Sequence, residues 1–311
     1  MIIIAKRPEL IVPLSSAARV RGRFKIEAVN QGDGRRRVLA DWFPNLITNG
    51  GLDMLGGSNP FLSTCAVGSG NTAPANTDTT LAALVGTTNS ILTKNFATQS
   101  TAPYYGSTIY QYDFAAGTAT GNLSEVGVGT SATALFSRAL ILDASGNPTT
   151  ITVLSNESLY VTYQVQQYVP TVDVVGTVTI AGVNYSYTCR AANATAVFWA
   201  LQQDDAPQAV YCAVSNGTIG AITGTISGTT ATAGAYYPGT YTSGSYTLQT
   251  TLDFGLTNGN VAGGITALEV QFGSASSNGN RGYFQYGFGA AIPKDSSHTM
   301  TLVVSNSWAR G

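Results

Sequence analysis

From Gly121 to Pro170 the chain alternates apolar and polar residues, with interruptions at Gly129 and at Gly146-Asn147-Pro148. A period of two puts successive side chains on opposite faces of a pleated strand, and Gly-Asn-Pro cannot continue one. The stretch therefore predicts consecutive antiparallel strands. The pattern returns near the C-terminus: Leu123-Ser124-Glu125-Val126 followed by Gly129 is echoed by Ala267-Leu268-Glu269-Val270 followed by Gly273.

The same reading, taken along the chain, predicts an extended arm over residues 1–18, which holds Pro8 and Pro13. A hairpin follows, with strands near Arg19–Val29 and Arg35–Phe43 joined by Asn30-Gln31-Gly32-Asp33-Gly34. Between glycines, Asn45 to Gly57 has the spacing of a short helix, the best helix candidate in the chain. Phe61 to Gly70 reads as a buried strand, Asn71 to Thr80 as a polar loop, Leu81 to Val85 as one helical turn, and Tyr104 to Phe114 as a tyrosine-rich strand.

Residues 171–311 replay this order. Cys65-Ala66-Val67 recurs as Cys212-Ala213-Val214, and Gly51 to Leu55 holds the place of Val197 to Leu201. Gly106-Ser107 with Asp113-Phe114 recurs as Gly244-Ser245 with Asp253-Phe254, Arg138 as Arg281, Pro148 as Pro293, and Leu159-Tyr160-Val161 as Leu302-Val303-Val304. Echoes in one order imply a tandem duplication. The expected fold is all-β: two related antiparallel β-sandwich domains of jelly-roll type over 19–170 and 171–311, with a short helix, behind a basic arm.

Composition supports strands and adds a charge asymmetry. Only 10% of residues are charged, against roughly 25% in ordinary globular proteins, and 16 Tyr against 3 Met favours strands over helices. Nine of the 15 Lys and Arg residues lie in the first 37 positions. Arg19, Arg21, Arg23, Lys25, Arg35, Arg36 and Arg37 are accordingly candidates for docking onto an acidic partner surface. The alternative is that the alternate arginines solvate the outer face of a strand. No nucleic-acid motif accompanies them, so nucleic acid is not an expected partner. Met1 to Ala5 is too short for a signal-peptide core, and no run approaches the roughly 18 apolar residues of a membrane span. Synthesis in a cytoplasm without a signal peptide is the expectation.

Catalytic and metal chemistry find few candidates. His298 is the single histidine and the only base a nucleophilic triad could use. No phosphate loop, dinucleotide fingerprint, zinc motif or calcium loop occurs, so neither a cofactor nor a metal is expected. Cys65 and Cys212 stand at equivalent points of apolar strands, as small buried hydrophobes do; a Cys189–Cys212 bridge is the remaining alternative. Glu125 and Glu269, equivalent across the repeat, read as structural contacts, with Arg138 and Arg281 as their partners. Tyr236, Tyr237 and Tyr241 offer either contact area or half-buried strand faces.

Certain runs resemble tailed-bacteriophage virion proteins, described as tail, tail-fibre or minor structural proteins. They are Asn45 to Leu52, Val67-Gly68-Ser69-Gly70, Thr72-Ala73-Pro74, Asp78 to Leu81, Glu125 to Gly129, Leu135 to Ala139 and Pro148 to Val153. Ile292-Pro293-Lys294 and Ser307-Trp308-Ala309-Arg310 resemble the endings of such proteins. The resemblance covers the chain to Pro170 and its closing stretch. It implies a non-enzymatic virion component, of the tail at the baseplate, tip or fibre attachment. Its partners would be other virion proteins and, as a trimer or ring, further copies of itself. A capsid decoration protein and a tail-fibre module that binds a host-surface receptor are the alternatives.

Overall fold

A computed structural model describes residues 9–57, 61–194, 209–273 and 281–311, of which 281 and 282 by backbone only. The protein is all-β, 60% strand and 2% helix. The chain enters through β1 (Glu9–Asn30), turns into β2 (Arg36–Pro44), and passes β3 (Leu46–Ile47) and helix α1 (Asn49–Met54) to reach β4 (Thr64–Gly68). Next come β5 (Leu84–Thr88), β6 (Ile91–Gln99), β7 (Tyr105–Phe114), β8 (Gly121–Leu123), β9 (Glu125–Ser131), β10 (Ala134–Leu140), β11 (Ile151–Val153) and β12 (Glu157–Tyr168). The rest of the chain forms β13 (Val174–Ile180), β14 (Val183–Ala192), β15 (Ala209–Ser215), β16 (Thr230–Thr232) and β17 (Ala235–Pro238). Then follow β18 (Thr247–Phe254), β19 (Ile265–Gly273), β20 (Arg281–Ile292) and β21 (Thr299–Arg310).

β1 organises the molecule because its alternation is unbroken over more than one core's width. From Leu10 to Ile26 the even-numbered side chains face inward and are buried, while the odd-numbered ones from Glu9 to Arg21 are exposed. It lies inside an eight-stranded sheet of order β17-β18-β21-β1-β12-β7-β6, with β2 also on β1. Its first half pairs in parallel with β21, Glu9 opposite Thr299 through Val20 opposite Arg310. Its second half pairs antiparallel with β12, Arg19 opposite Tyr168 through Asn30 opposite Glu157.

Two smaller sheets cover the same face of this large one. The five-stranded sheet β3-β10-β9-β4-β5 closes a core with Phe24, Tyr112 and Tyr163 on one side and Cys65, Val126 and Phe136 on the other. The six-stranded sheet β13-β14-β20-β19-β15-β16 closes a second core, where Val12, Leu302 and Phe254 meet Cys212, Val270 and Phe284. β8 and β11 form a separate ribbon.

Part of the strand order is common to the two halves. β12-β7-β6 on one side of β1 corresponds to β21-β18-β17 on the other, and β10-β9-β4-β5 to β20-β19-β15-β16. The cores nevertheless exchange parts. Leu10, Val12, Leu14 and Ala18 belong to the core of the C-terminal half, while Leu248 and Trp308 belong to that of the N-terminal half. Residues 9–18 are thus a paired strand of the large sheet and no linker; residues 1–8 of the expected arm lie outside the described residues. Pro13 is accommodated in a stretch of β1 that is paired along one edge only, the kind of strand position in which proline occurs.

Most expected elements stand where the sequence pattern puts them, including the first hairpin, β4, the short helix and β7. The helical turn over Leu81–Val85 does not form: β5 begins at Leu84, and the amides of Ala82 and Ala83 are held by Glu125 instead. The proposed counterpart of Gly51–Leu55 at Val197–Leu201 lies outside the described residues.

Candidate interaction surface

With both smaller sheets on one face, the other face of the large sheet is open. Ile11, Pro13, Ser15, Ala17, Arg19 and Arg21 are exposed on it along β1. Arg19, Arg21, Arg23 and Lys25 form a ladder of cations at alternate positions, roughly 6.6 Å apart by the strand rise. Glu27 closes the row, 3.3 Å from Lys25 and 3.8 Å from Arg36.

Cross-strand neighbours fix this ladder. The Arg21 guanidinium lies 5.0 Å over the Tyr168 ring, which packs 5.0 Å from that of Tyr105. Arg23 lies 4.4 Å over Trp42 and donates from Nε to Gln164 Oε1 at 2.6 Å. Gln164 in turn donates to Ser107, Gln166 to Gln164 and Tyr168 to Gln166, at 3.0, 3.3 and 2.9 Å. Gln164 and Gln166 are buried under their own neighbours although they face outward. Desolvation lifts the Tyr168 hydroxyl above its ordinary pKa, in spite of Arg21 beside it. At the head of the ladder Ala17, Ser307 and Ala309 line a depression of about 440 Å³ beside Arg19 and Tyr168.

The seven basic candidates therefore separate. Arg19, Arg21, Arg23 and Lys25 share the open face, and Arg36 joins them, 5.2 Å over the Tyr160 ring. Arg37 does not: it donates to Thr152 O and forms a two-pronged pair with Glu157 at 2.8 and 2.6 Å, and the hydrogen bond to Glu157 raises its pKa. Arg35 lies in the exposed turn, its amide held by Asp33. Trp42, Tyr105, Gln164, Gln166 and Tyr168 were not singled out from sequence. The alternation of Tyr160, Thr162, Gln164, Gln166 and Tyr168 marks an outward row, but only the β1–β12 register sets it beside the arginines.

The repeated acidic positions do structural work of two kinds. Glu125 is fully buried and accepts from the amides of Gly70, Ala82 and Ala83 and from Arg138 Nε and Nη2. Arg138 also donates to Asp78 at 2.5 Å and to Thr72 O at 2.8 Å, so the pair pins the loop between β4 and β5. Burial pushes the Glu125 carboxyl up, but the two amides of Ala83 and Ala82 together with Arg138 hold it below its ordinary value. Glu269 is held differently: Thr225 Oγ1 donates to it, and burial raises its pKa.

Register shows why these two differ. Ala66 pairs with Gly127 and Gly127 with Arg138, whereas Ala213 pairs with Glu269 and Glu269 with Gln285. With the two Cys-Ala-Val strands matched, Glu269 stands in the place of Gly127, and Gln285 in the place of Arg138. Gln285 is buried, accepts from Gly220 N and donates to the carbonyls of Ala191, Gly220 and Ala221. It fastens the loop after β15 as Arg138 fastens the loop after β4. Arg281 pairs by backbone with Gly273; its side chain lies outside the described residues.

The remaining chemical candidates are placed as follows. His298 Nδ1 lies 2.7 Å from Asp295 Oδ1 and 3.0 Å from Ser297 Oγ. Carboxylate and hydroxyl meet the same ring nitrogen, whereas a triad needs one on each. All three cysteines are free and buried, so the Cys189–Cys212 bridge is not formed; burial raises all three thiol pKa values. An open groove of about 630 Å³ on the six-stranded sheet has no Asp, Glu, His, Lys or Arg in its lining. Among the described residues no cluster of His, Cys, Asp or Glu could hold a metal ion, and no helix is long and apolar enough to cross a membrane. Tyr236 and Tyr237 are exposed on the edge strand β17, while Tyr241 packs on Trp308. No family model, curated protein or solved structure matches the chain.

Proposed function

We propose that the chain is a non-enzymatic structural component of a tailed-bacteriophage virion, placed in the tail at the baseplate, tip or fibre attachment. The open face of the eight-stranded sheet carries this reading. It spans an eight-stranded sheet, and it presents arginine, tyrosine and tryptophan, the residues enriched where protein surfaces meet. The sequence resemblance supplies the virion context. Assembly as a trimer or ring suits a component that works by symmetric repetition. A receptor-binding tail module is a second reading, favoured by the exposed Tyr236 and Tyr237 at the sheet edge.

Mass spectrometry of gradient-purified particles tests the proposal. The chain should be present in a fixed ratio to other tail proteins, and particles stripped of capsid should retain it. Its absence from particles whose genome encodes it removes the virion reading, and retention with empty capsids alone moves it to the shell.

A further inference from the structure

We infer that the open face is a docking site for an extended acidic strand of another protein, laid along β1 over Arg19, Arg21, Arg23 and Lys25. The inference rests on reading the chain as an assembly component and names the chemistry of its partner.

Three observations select this occupant. The cations repeat at every second residue of one strand, the repeat at which another extended polypeptide presents side chains on one face. A segment with acidic residues at alternate positions matches it charge for charge. Second, the row is single and short. On the same strand it continues into Ile11, Pro13, Ser15 and Ala17, all uncharged and exposed. A polyanion carries charge throughout its length and binds best in a groove lined with cations; a protein strand can change from acidic to neutral where β1 does. Third, the depression lined by Ala17, Ser307 and Ala309 lies where these stretches meet and has room for one bulky side chain of the partner.

The ladder is also set before anything binds. Arg21 and Arg23 are held against Tyr168 and Trp42, and Arg23 is tied to Gln164. Planar guanidinium groups held in this way lose little freedom when they pair with carboxylates. Among the described residues, carboxylates of the chain itself engage only the Lys25 end of the row, through Glu27.

The test uses the purified full chain and three labelled probes: a peptide alternating Glu and Thr, a peptide of the same composition with its glutamates in one block, and oligothymidylate. Fluorescence anisotropy should show the alternating peptide binding most tightly, with affinity falling as salt is added. The double variant Arg19→Glu/Arg21→Glu should weaken it at least about tenfold, because two attractive contacts become repulsive. Circular dichroism checks that this variant folds; Arg19→Gln/Arg21→Gln serves if it does not, with a smaller loss expected. Equal binding of the blocked peptide, tighter binding of oligothymidylate, no binding of any probe, or binding indifferent to the substitutions would each overturn the inference. Presence in particles together with failure here would remove only the acidic-strand partner; the reverse pattern would remove only the virion reading.

Discussion

Glu125 and Glu269 lie on matching strands, yet their proton equilibria run in opposite directions. Glu125, held below its ordinary pKa by the amides and Arg138 that outweigh its burial, binds fewer protons folded than unfolded. Its stabilising contribution is complete above the ordinary glutamate value of 4.5 and is lost as the pH falls through its folded value. Glu269, raised by burial, gives the opposite sign: ionising it in the folded state costs stability as the pH rises above 4.5. Glu125→Gln leaves a buried guanidinium with only Asp78 as its acid partner, and should cost about 3 kcal/mol at neutral pH. That loss should shrink in acid. Glu269→Gln removes a carboxylate that is penalised for its charge, and should leave stability at neutral pH unchanged or raised. Urea denaturation of both variants at neutral and acid pH checks the contrast; equal losses would refute it.

The helix α1 shows how much a six-residue element can fix. Thr48 caps it by accepting from the Gly51 amide at 2.8 Å, and donates to Leu135 O at 2.7 Å. Strand β21 reaches it through Trp308 Nε1 to Leu52 O and Arg310 Nη2 to Asn49, at 2.7 and 2.6 Å. From the loop before β18, Tyr241 donates to Asp53 at 2.7 Å. Gly51 sits where a Cβ would come 2.0 Å from Phe136 O, a backbone atom that cannot swing aside. Gly51→Ala should therefore cost about 2 kcal/mol through overpacking. At Gly50 the nearest atom would be 3.7 Å away, at Thr48, and Gly50→Ala should be neutral or gain up to about 1 kcal/mol of helix propensity. Thermal denaturation of the pair separates packing from propensity. Glycine spacing in the sequence located this helix, but the contact that demands Gly51 arises only when β10 packs on it.

At the scale of the whole molecule, alternation made the strands legible, since a period of two reports which side chains share a face. It is silent on pairing. Shifting a strand by two residues keeps every side chain on its face, which is why Glu125 aligns with Glu269 in sequence but not in register. The basic ladder was legible as a list of arginines; its flatness and its aromatic supports depend on β12 and β2, brought alongside by tertiary structure. The greatest departure is the sharing of β1. Prolines and terminal position marked residues 9–18 as an arm, whereas Leu10, Val12 and Leu14 fill the second core. A fragment of residues 171–311 should accordingly fail to fold alone, and a peptide of residues 9–30 should restore part of its structure. Circular dichroism and amide dispersion by NMR read both outcomes, and a folded fragment without the peptide would show that the halves are separable.

The parallel pairing of β1 with β21 also fixes an order of events. Ser16 and Asn306 are hydrogen-bonded partners 290 residues apart. On the ribosome, β12 can join β1 while the leading half of β1 still has no strand paired to it and the first core still lacks Leu248 and Trp308. Among the described residues β17 and β18 meet the rest of the sheet only through β21, so the sheet cannot be completed before β21 is made. Completion of the sheet therefore joins segments 290 residues apart, the kind of long-range closure that slows folding.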